Sequence, residues 1–190
     1  RTAASKFPSR VPAATLPGMS TSDSPIPLSI CVLTVSDSRT PDNDTSGDWL
    51  VQALQADSHR LAGRALLPDN RYLLRAQVSQ WIADDGVDGI IVTGGTGFTG
   101  RDSTPEALLP LLDKEMTGFG ELFRAISFEE IGTSSLQSRA FAGVANATFL
   151  FCLPGSTSAC RTGWEKIIRS QLDSRTGPCN LASLRPRLRE

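Results

Sequence analysis

Runs of apolar and β-branched residues alternate along this chain with segments of helical spacing, and this pattern restricts the fold more than any other feature. Residues 29–36, 88–93 and 148–153 are nearly continuous apolar runs, and residues 61–67 form a fourth predicted strand. Strands buried on both faces of a parallel sheet have this composition, because helices cover both rows of side chains. The alternation predicts an α/β fold, a three-layer α/β/α sandwich with a mostly parallel central sheet.

Polar residues predict where the helices of the first half begin. Thr45 provides a capping hydroxyl three residues before an acid, which predicts a helix over about 46–57. Asp69 is a candidate cap for the next helix, whose apolar residues recur at helical spacing. Ser103 and Glu106 have the spacing of a capping box and precede a short helix over 107–112.

The second half is less regular until its last helix. Residues 119–139 have an irregular helical pattern that breaks near Gly132, and residues 140–153 predict two short strands around Asn146. The final helix is predicted over about 158–172, because its apolar residues share one face.

Composition divides the chain into one domain and two tails. Residues 1–27 are rich in Ser, Pro, Ala and Thr and are predicted to form a flexible tail. Residues 28–180 are predicted to form the domain, and residues 181–190 a polar C-terminal tail.

Charge and reactive side chains exclude several classes of function. A net charge of -1 without Lys/Arg runs argues against nucleic-acid or membrane-surface binding, and no apolar run is long enough to span a bilayer. The four cysteines contain no C-x-x-C pair, which argues against a disulfide framework and favours a reducing compartment, the cytoplasm. A single histidine excludes a zinc site, so any catalytic metal is expected to be a hard ion held by carboxylates and phosphates.

Three loops are predicted to meet where ligands bind in open α/β sheets, beyond the carboxyl ends of the strands. They contain Asp37, residues 94–102 and residues 154–158. The second loop belongs to a glycine-rich segment, T-G-G-T-G-F-T-G over 93–100, whose backbone N–H groups can converge on an anion. The alternative is a tight turn without a ligand, which requires fewer glycines.

The same loop matches the dinucleotide-binding spacing G-x-G-x-x-G at Gly95, Gly97 and Gly100. That fingerprint belongs after the first strand of its unit, whereas this loop follows the third predicted strand. Oxidoreductases with a similar loop also need a Tyr-x-x-x-Lys pair, but the chain's one tyrosine, Tyr72, has Ala76 four residues later. We therefore exclude the oxidoreductase interpretation.

Seven segments of the sequence form one ordered pattern. The longest is T-G-G-T-G-F-T-G-R-D-S-T-P-E-A-L over 93–108. The others are T-V-S-D at 34–37, D-T-S-G at 44–47, L-P-D-N at 67–70, G-F-G-E at 118–121, L-Q-S-R at 136–139 and L-P-G-S-T at 153–157. This pattern resembles the molybdopterin adenylyltransferase family of the MoaB/MogA type, and its order and spacing hold over about residues 28–180. Two longer runs, F-G-E-L-F-R-A-I-S-F-E-E-I-G-T-S-S-L-Q-S-R-A-F-A-G-V-A-N over 119–146 and P-G-S-T-S-A-C-R-T-G-W-E-K-I-I over 154–168, resemble the bacterial MoaB branch.

This resemblance implies an α/β fold, assembly as a trimer or hexamer, and a molybdopterin site beside a site for ATP with Mg²⁺. The implied reaction is attack of the pterin's terminal phosphate on the α-phosphorus of ATP, which releases pyrophosphate. The motif P-G-S-T at 154–157 differs from the P-G-x-P of the MogA branch. A non-catalytic pterin-binding scaffold of the same pathway is therefore the alternative.

The resemblance also assigns roles to individual residues. Asp69 and Asp102 match the family's essential acids, and Asp102 is the candidate Mg²⁺ ligand, although either carboxylate could instead stabilise a helix N-terminus. Glu106 could belong only to the capping box, Arg139 to a surface or subunit interface, and Ser156 and Ser158 to a helix cap. The predicted substrate-binding residues are Ser36, Asp37, Gly94, Gly95, Thr96, Gly97, Thr104, Glu106, Ser138, Arg139, Pro154, Gly155, Ser156 and Ser158.

Overall fold

The computed structural model describes residues 24–189, which form a six-stranded sheet with helices on both faces. The strands are β1 (Ser29–Val35), β2 (Arg60–Leu67), β3 (Gly89–Thr93), β4 (Lys114–Glu115), β5 (Phe141–Ala145) and β6 (Thr148–Leu153). Their order across the sheet is β2-β1-β3-β6-β5-β4. The pairs β2–β1, β1–β3 and β3–β6 are parallel, and β5 is antiparallel to both of its neighbours, β6 and β4. The predicted α/β sandwich with a mostly parallel sheet is confirmed.

The helices lie close to their predicted positions, except the last one, which forms in the predicted C-terminal tail. They are α1 (Thr45–Ala56), α2 (Arg71–Ile82), α3 (Thr104–Leu108), α4 (Thr117–Ile131), α5 (Thr157–Gly163), α6 (Arg169–Leu172) and α7 (Leu181–Leu184). A π turn, Trp164–Ile168, joins α5 to α6, and a 3-10 helix, Gly132–Gln137, follows α4 where the predicted break lies.

One hydrophobic core lies on each face of the sheet, because alternate residues of each buried strand point to opposite faces. Ile30 and Val32 of β1 belong to the core beneath α1, α4 and the α5–α6 helix. Cys31 and Leu33 belong to the other core, beneath α2 and α3. This two-sided burial explains why β1 has no polar face in the sequence.

Two predicted helix caps are wrong. Asp44, not Thr45, caps α1 by accepting a hydrogen bond from the Gly47 N–H (3.0 Å). Asn70, not Asp69, caps α2 through its own side chain. Asn70 has the extended backbone that a cap requires, so the carboxylate of Asp69 is left available for other partners.

The ends of the domain differ in part from the sequence-based expectation. Most of the predicted N-terminal tail, residues 1–23, lies outside the described residues. Residues 181–190 were expected to form a tail, but α7 packs against the domain, and Ala182 is buried beside the core. Within residues 24–189, no helix is long and apolar enough to cross a membrane.

Candidate functional site

Four loops meet at the carboxyl ends of the neighbouring strands β2, β1, β3 and β6. They contain Asp69 after β2, Ser36 and Asp37 after β1, the glycine loop after β3, and Pro154 after β6. The sequence predicts three of these loops to form one site and gives Asp69 as a separate candidate residue. The parallel order of the four strands brings all of them to one edge of the sheet.

A cavity of about 580 Å³ opens between these loops and α4. Its volume lies in the usual range for small-molecule sites. Most of the predicted site residues line it: Ser36, Gly94, Gly95, Thr96, Gly97, Asp102, Ser138, Pro154, Gly155, Ser156 and Ser158. The other predicted residues, Asp37, Asp69, Thr104, Glu106 and Arg139, lie behind the glycine loop or beside it.

The glycine loop takes a backbone course that requires glycine at two positions. Gly94 and Gly95 have φ angles of 108° and 65°, a region that L side chains rarely adopt. A Cβ on Gly95 would also lie 2.5 Å from the Asp69 carboxylate. Thr104 supports the loop from beneath, because its hydroxyl donates to the Gly94 carbonyl (2.9 Å) and its N–H to that of Gly95 (3.0 Å).

Asp69 lies against this loop instead of capping a helix. Its carboxylate accepts hydrogen bonds from the backbone N–H (3.1 Å) and the hydroxyl of Ser103. Burial raises the pKa of Asp69, and the negative charges of Asp102 and Asp37 add to this increase, whereas the Ser103 hydrogen bonds oppose it. The raised pKa of Asp69 reflects its burial first and its position near two other carboxylates second.

Asp102 lies on the same loop and is held in its charged form. Its carboxylate accepts from the backbone N–H (2.8 Å) and the hydroxyl (2.6 Å) of Thr99, and a Cβ on Gly97 would lie 2.8 Å from it. Burial alone would raise the pKa of Asp102, but hydrogen bonds from Thr99 and Gly97, together with the charge of Arg139, lower it. An ionised carboxylate that lines the cavity can accept a hard cation.

Two arginines brace the outer side of the loop. Arg139 donates to the carbonyls of Gly97 (2.8 Å) and Asp102 (3.0 Å) and forms an ion pair with Glu106. Its guanidinium also lies 5.2 Å from the ring centre of Phe98. Arg101 pairs with Asp37 (2.8 Å) across the mouth of the site.

The predicted capping box at Ser103 and Glu106 is therefore wrong. Ser103 makes no side-chain cap on α3, because its hydroxyl is bound to Asp69, and Glu106 is drawn to Arg139. Ser156 does cap α5, since its side chain accepts from the Ala159 N–H (3.1 Å), and it lines the cavity as well.

Several cavity residues were not among the predicted ones. Arg39 lines the wall opposite the carboxylates and donates to the Gly155 carbonyl (2.9 Å). Its place two residues after Asp37, in a predicted site loop, is a signal that could have identified it. The wall formed by α4 and the 3-10 helix contributes Phe123, Ser127, Glu130, Ile131, Ser134 and Gln137, which lie within family-like segments but were assigned no role from the sequence.

The carboxylates by themselves do not form a complete metal site. Within the described part of the chain, no group of three or more His, Cys, Asp or Glu side chains could hold a metal ion. Asp69 and Asp102 fit a magnesium ion only if ligand phosphates and water complete its shell, which is the usual arrangement for this ion.

Comparison with known proteins gives a consistent result. A family model described as a probable molybdopterin binding domain matches residues 31–174. Molybdenum cofactor biosynthesis protein B of Escherichia coli (strain K12) is 59% identical over 155 residues, which are 82% of this chain and 91% of the relative. The protein of the same name from Staphylococcus aureus (strain MRSA252) is 46% identical over 145 residues, covering 75% of this chain and 86% of the relative.

Solved structures agree with these relatives. A crystal structure of a molybdenum cofactor biosynthesis protein B superposes with a TM-score of 0.76 at 38% identity, covering 78% of this chain and 93% of that one. The tungsten cofactor synthesizing protein MoaB from Pyrococcus furiosus superposes with a TM-score of 0.68 at 36% identity, covering 76% and 92%.

Proposed function

This chain belongs to the molybdenum cofactor biosynthesis protein B family of probable molybdopterin binding domains, and from this premise we propose that it adenylylates molybdopterin. The family resemblance predicted from the sequence motifs is thus confirmed, and the chain functions in molybdenum cofactor biosynthesis. The proposed reaction joins the terminal phosphate of molybdopterin to the α-phosphorus of ATP and releases pyrophosphate.

Two carboxylates that lie against the same glycine loop support this proposal most directly. Asp69 lies against Gly95 and Asp102 against Gly97, at the edge of a cavity large enough for a pterin. Nucleotidyl transfer depends on positioning and on neutralising phosphate charge, which two acids with a magnesium ion can provide. If the two acids were only structural helix caps, each would be directed at a different helix.

The chain's own groups support binding of the remaining charge. Arg39 gives the cavity wall a guanidinium, which also pairs with Asp44, and a glycine-rich loop of this kind can offer backbone N–H donors to an anion. Asp102 and Asp69 would hold a magnesium ion, which would supply positive charge against the phosphates. Assembly as a trimer or hexamer and a cytoplasmic location stay predictions.

Asp102→Asn provides the decisive variant. The amide retains the size of the side chain but removes its charge, so pyrophosphate release from molybdopterin and Mg-ATP is expected to fall about 100-fold or more. Pterin affinity is expected to stay within about threefold. Asp85→Asn is the matched control, because Asp85 is exposed and pairs with Arg189 at the other end of the sheet.

Other outcomes separate the alternatives. Binding of molybdopterin without pyrophosphate release by the wild-type protein would favour the non-catalytic scaffold. Equal rates for wild type and Asp102→Asn would contradict the assigned role of Asp102. Calorimetry with ATP in the presence of Mg²⁺ then tells whether a nucleotide binds at all.

A further inference from the structure

The α4 side of the cavity has a chemical character unlike that of the loop side. Ile131, which is 55% exposed, gives it an apolar surface, and Glu130 is the exposed acidic residue of this wall. This wall is formed by the last turns of α4, which reach the cavity from a different part of the chain than the glycine loop. It therefore suits the part of a ligand that is flat and carries no phosphate.

The Glu130 carboxylate is oriented by a buried hydroxyl. Thr162 of α5 is 6 % exposed, and its Oγ1 lies 3.1 and 2.9 Å from the two carboxylate oxygens. One hydroxyl donates one hydrogen, whereas a carboxylate accepts about four hydrogen bonds, so both oxygens keep acceptor capacity. Between residues 24 and 189, no salt bridge neutralises Glu130.

An oriented carboxylate without a cation matches one edge of a pterin. The pyrimidinone edge presents a ring N–H beside an exocyclic amino group, two donors whose spacing matches the two oxygens of a carboxylate. Paired hydrogen bonds to an ionised acceptor are stronger and more selective than bonds between neutral groups. Ile131 borders the space where one face of the ring would lie.

We propose that Glu130 is a specificity-determining residue that accepts hydrogen bonds from the amino-pyrimidinone edge of the pterin. This inference rests on the proposed function, since it assigns one end of the ligand within the same cavity. The phosphate end then faces the glycine loop and Arg39, and Thr162 acts as a positioning residue for Glu130.

Two phosphorylated pteridines test the assignment. One is 6-hydroxymethylpterin monophosphate, and the other is its lumazine counterpart, in which an oxo group replaces the 2-amino group. Wild-type protein is expected to bind the pterin at least about 10-fold more tightly, because the lumazine sets an acceptor against the carboxylate. Glu130→Gln is expected to lose about 10- to 100-fold in pterin affinity and most of the preference, since an amide offers one acceptor and one donor.

Glu129→Gln is the matched control, because this neighbour is exposed as Glu130 is but lies outside the cavity lining. It is expected to bind both compounds as wild type does. Thr162→Val tests the same contact without altering Glu130, and should weaken pterin binding while Thr162→Ser retains it. Thermal unfolding of each variant shows whether it is folded.

The outcomes distinguish the two proposals. If wild-type protein prefers the pterin and Glu130→Gln keeps that preference, the role of Glu130 is wrong and pterin binding stands. The same holds if wild-type protein binds both compounds equally. If wild-type protein binds neither compound, nor molybdopterin itself, the proposed function fails, and the role of Glu130 fails with it.

Discussion

His59, the chain's one histidine, is buried where β2 begins and takes part in the core as a neutral ring. Its Nδ1 accepts a hydrogen bond from the Leu28 N–H (3.2 Å), and its ring meets Trp164 edge-on at 6.1 Å. Burial lowers the pKa of His59, although the nearby charges of Asp57, Asp173 and Asp88 partly oppose this effect. Protonation of Nδ1 would remove the acceptor of this hydrogen bond, so the Leu28 N–H would lose its partner.

Acid should therefore destabilise the protein in part through His59. Because the folded pKa lies below the unfolded value of about 6.5, this contribution is fully present above about pH 6.5 and is lost as the pH falls toward the folded pKa. Urea unfolding at about pH 7.5, 6.5 and 5.5 should show the free-energy difference between wild type and His59→Gln shrinking with acidification. A difference that stays constant with pH would contradict the prediction.

Asp44 joins several elements around a single buried carboxylate. It accepts hydrogen bonds from Thr34 of β1 (2.7 Å) and Arg64 of β2 (3.0 Å), and it forms an ion pair with Arg39 (3.3 Å). Arg39 in turn donates to the Gly155 carbonyl in the loop after β6. The position of one cavity loop thus depends on a carboxylate whose side chain is 1% exposed.

Removal of the Asp44 charge should destabilise the fold strongly. Asp44→Asn leaves Arg39 and Arg64 without their shared buried anion, so the free energy of unfolding should fall by about 3 kcal/mol. Asp48→Asn is the control, because Asp48 pairs with the same Arg64 but is 47% exposed. It should lower the free energy of unfolding by less than about 1 kcal/mol in the same urea titration. Equal effects of the two variants would show that burial does not decide the strength of these pairs.

In the whole molecule, one end of the sheet holds the cavity loops, and the other end packs against the C-terminal residues. The carboxyl ends of the parallel strands hold the loops that line the cavity. At the other end, Arg185 and Arg189 form ion pairs with Asp88 and Asp85, and Leu181 and Leu188 pack against the core. The residues after 180 therefore belong to the supporting end of the domain.

Deletion of residues 181–190 should lower stability without altering the cavity. The loss of the apolar contacts made by α7 and Leu188 is expected to decrease the free energy of unfolding by about 2–4 kcal/mol. Arg189→Ala removes the exposed ion pair of Arg189 with Asp85 and should cost less than about 1 kcal/mol. Urea unfolding measures both changes, and calorimetry with a pterin checks the cavity. Full stability after the deletion would mean that these residues form a tail, as expected from the sequence.

Most of the fold could be predicted because its signals are local. The runs that become β1, β3 and β6 are apolar on both faces, and the turn at Asn146 and the break at Gly132 lie where the sequence predicts them. The family also followed from the sequence, since its motifs are continuous segments. The assigned site residues stay predictions until ligands are tested.

Side-chain partners could not be predicted, because they come from distant parts of the chain. Asp69 and Ser103 are 34 residues apart, and Arg139 and Glu106 are 33 apart, so local capping rules assigned these acids to the wrong contacts. Glu130 is an exposed residue of α4, and no spacing rule marks it as a ligand contact. The sequence by itself determined β1, β2, β3, β5 and β6, the glycine loop and the family, whereas the short edge strand β4 was not predicted. Only the tertiary structure decided which carboxylates meet and which wall closes the cavity, because packing selects these neighbours.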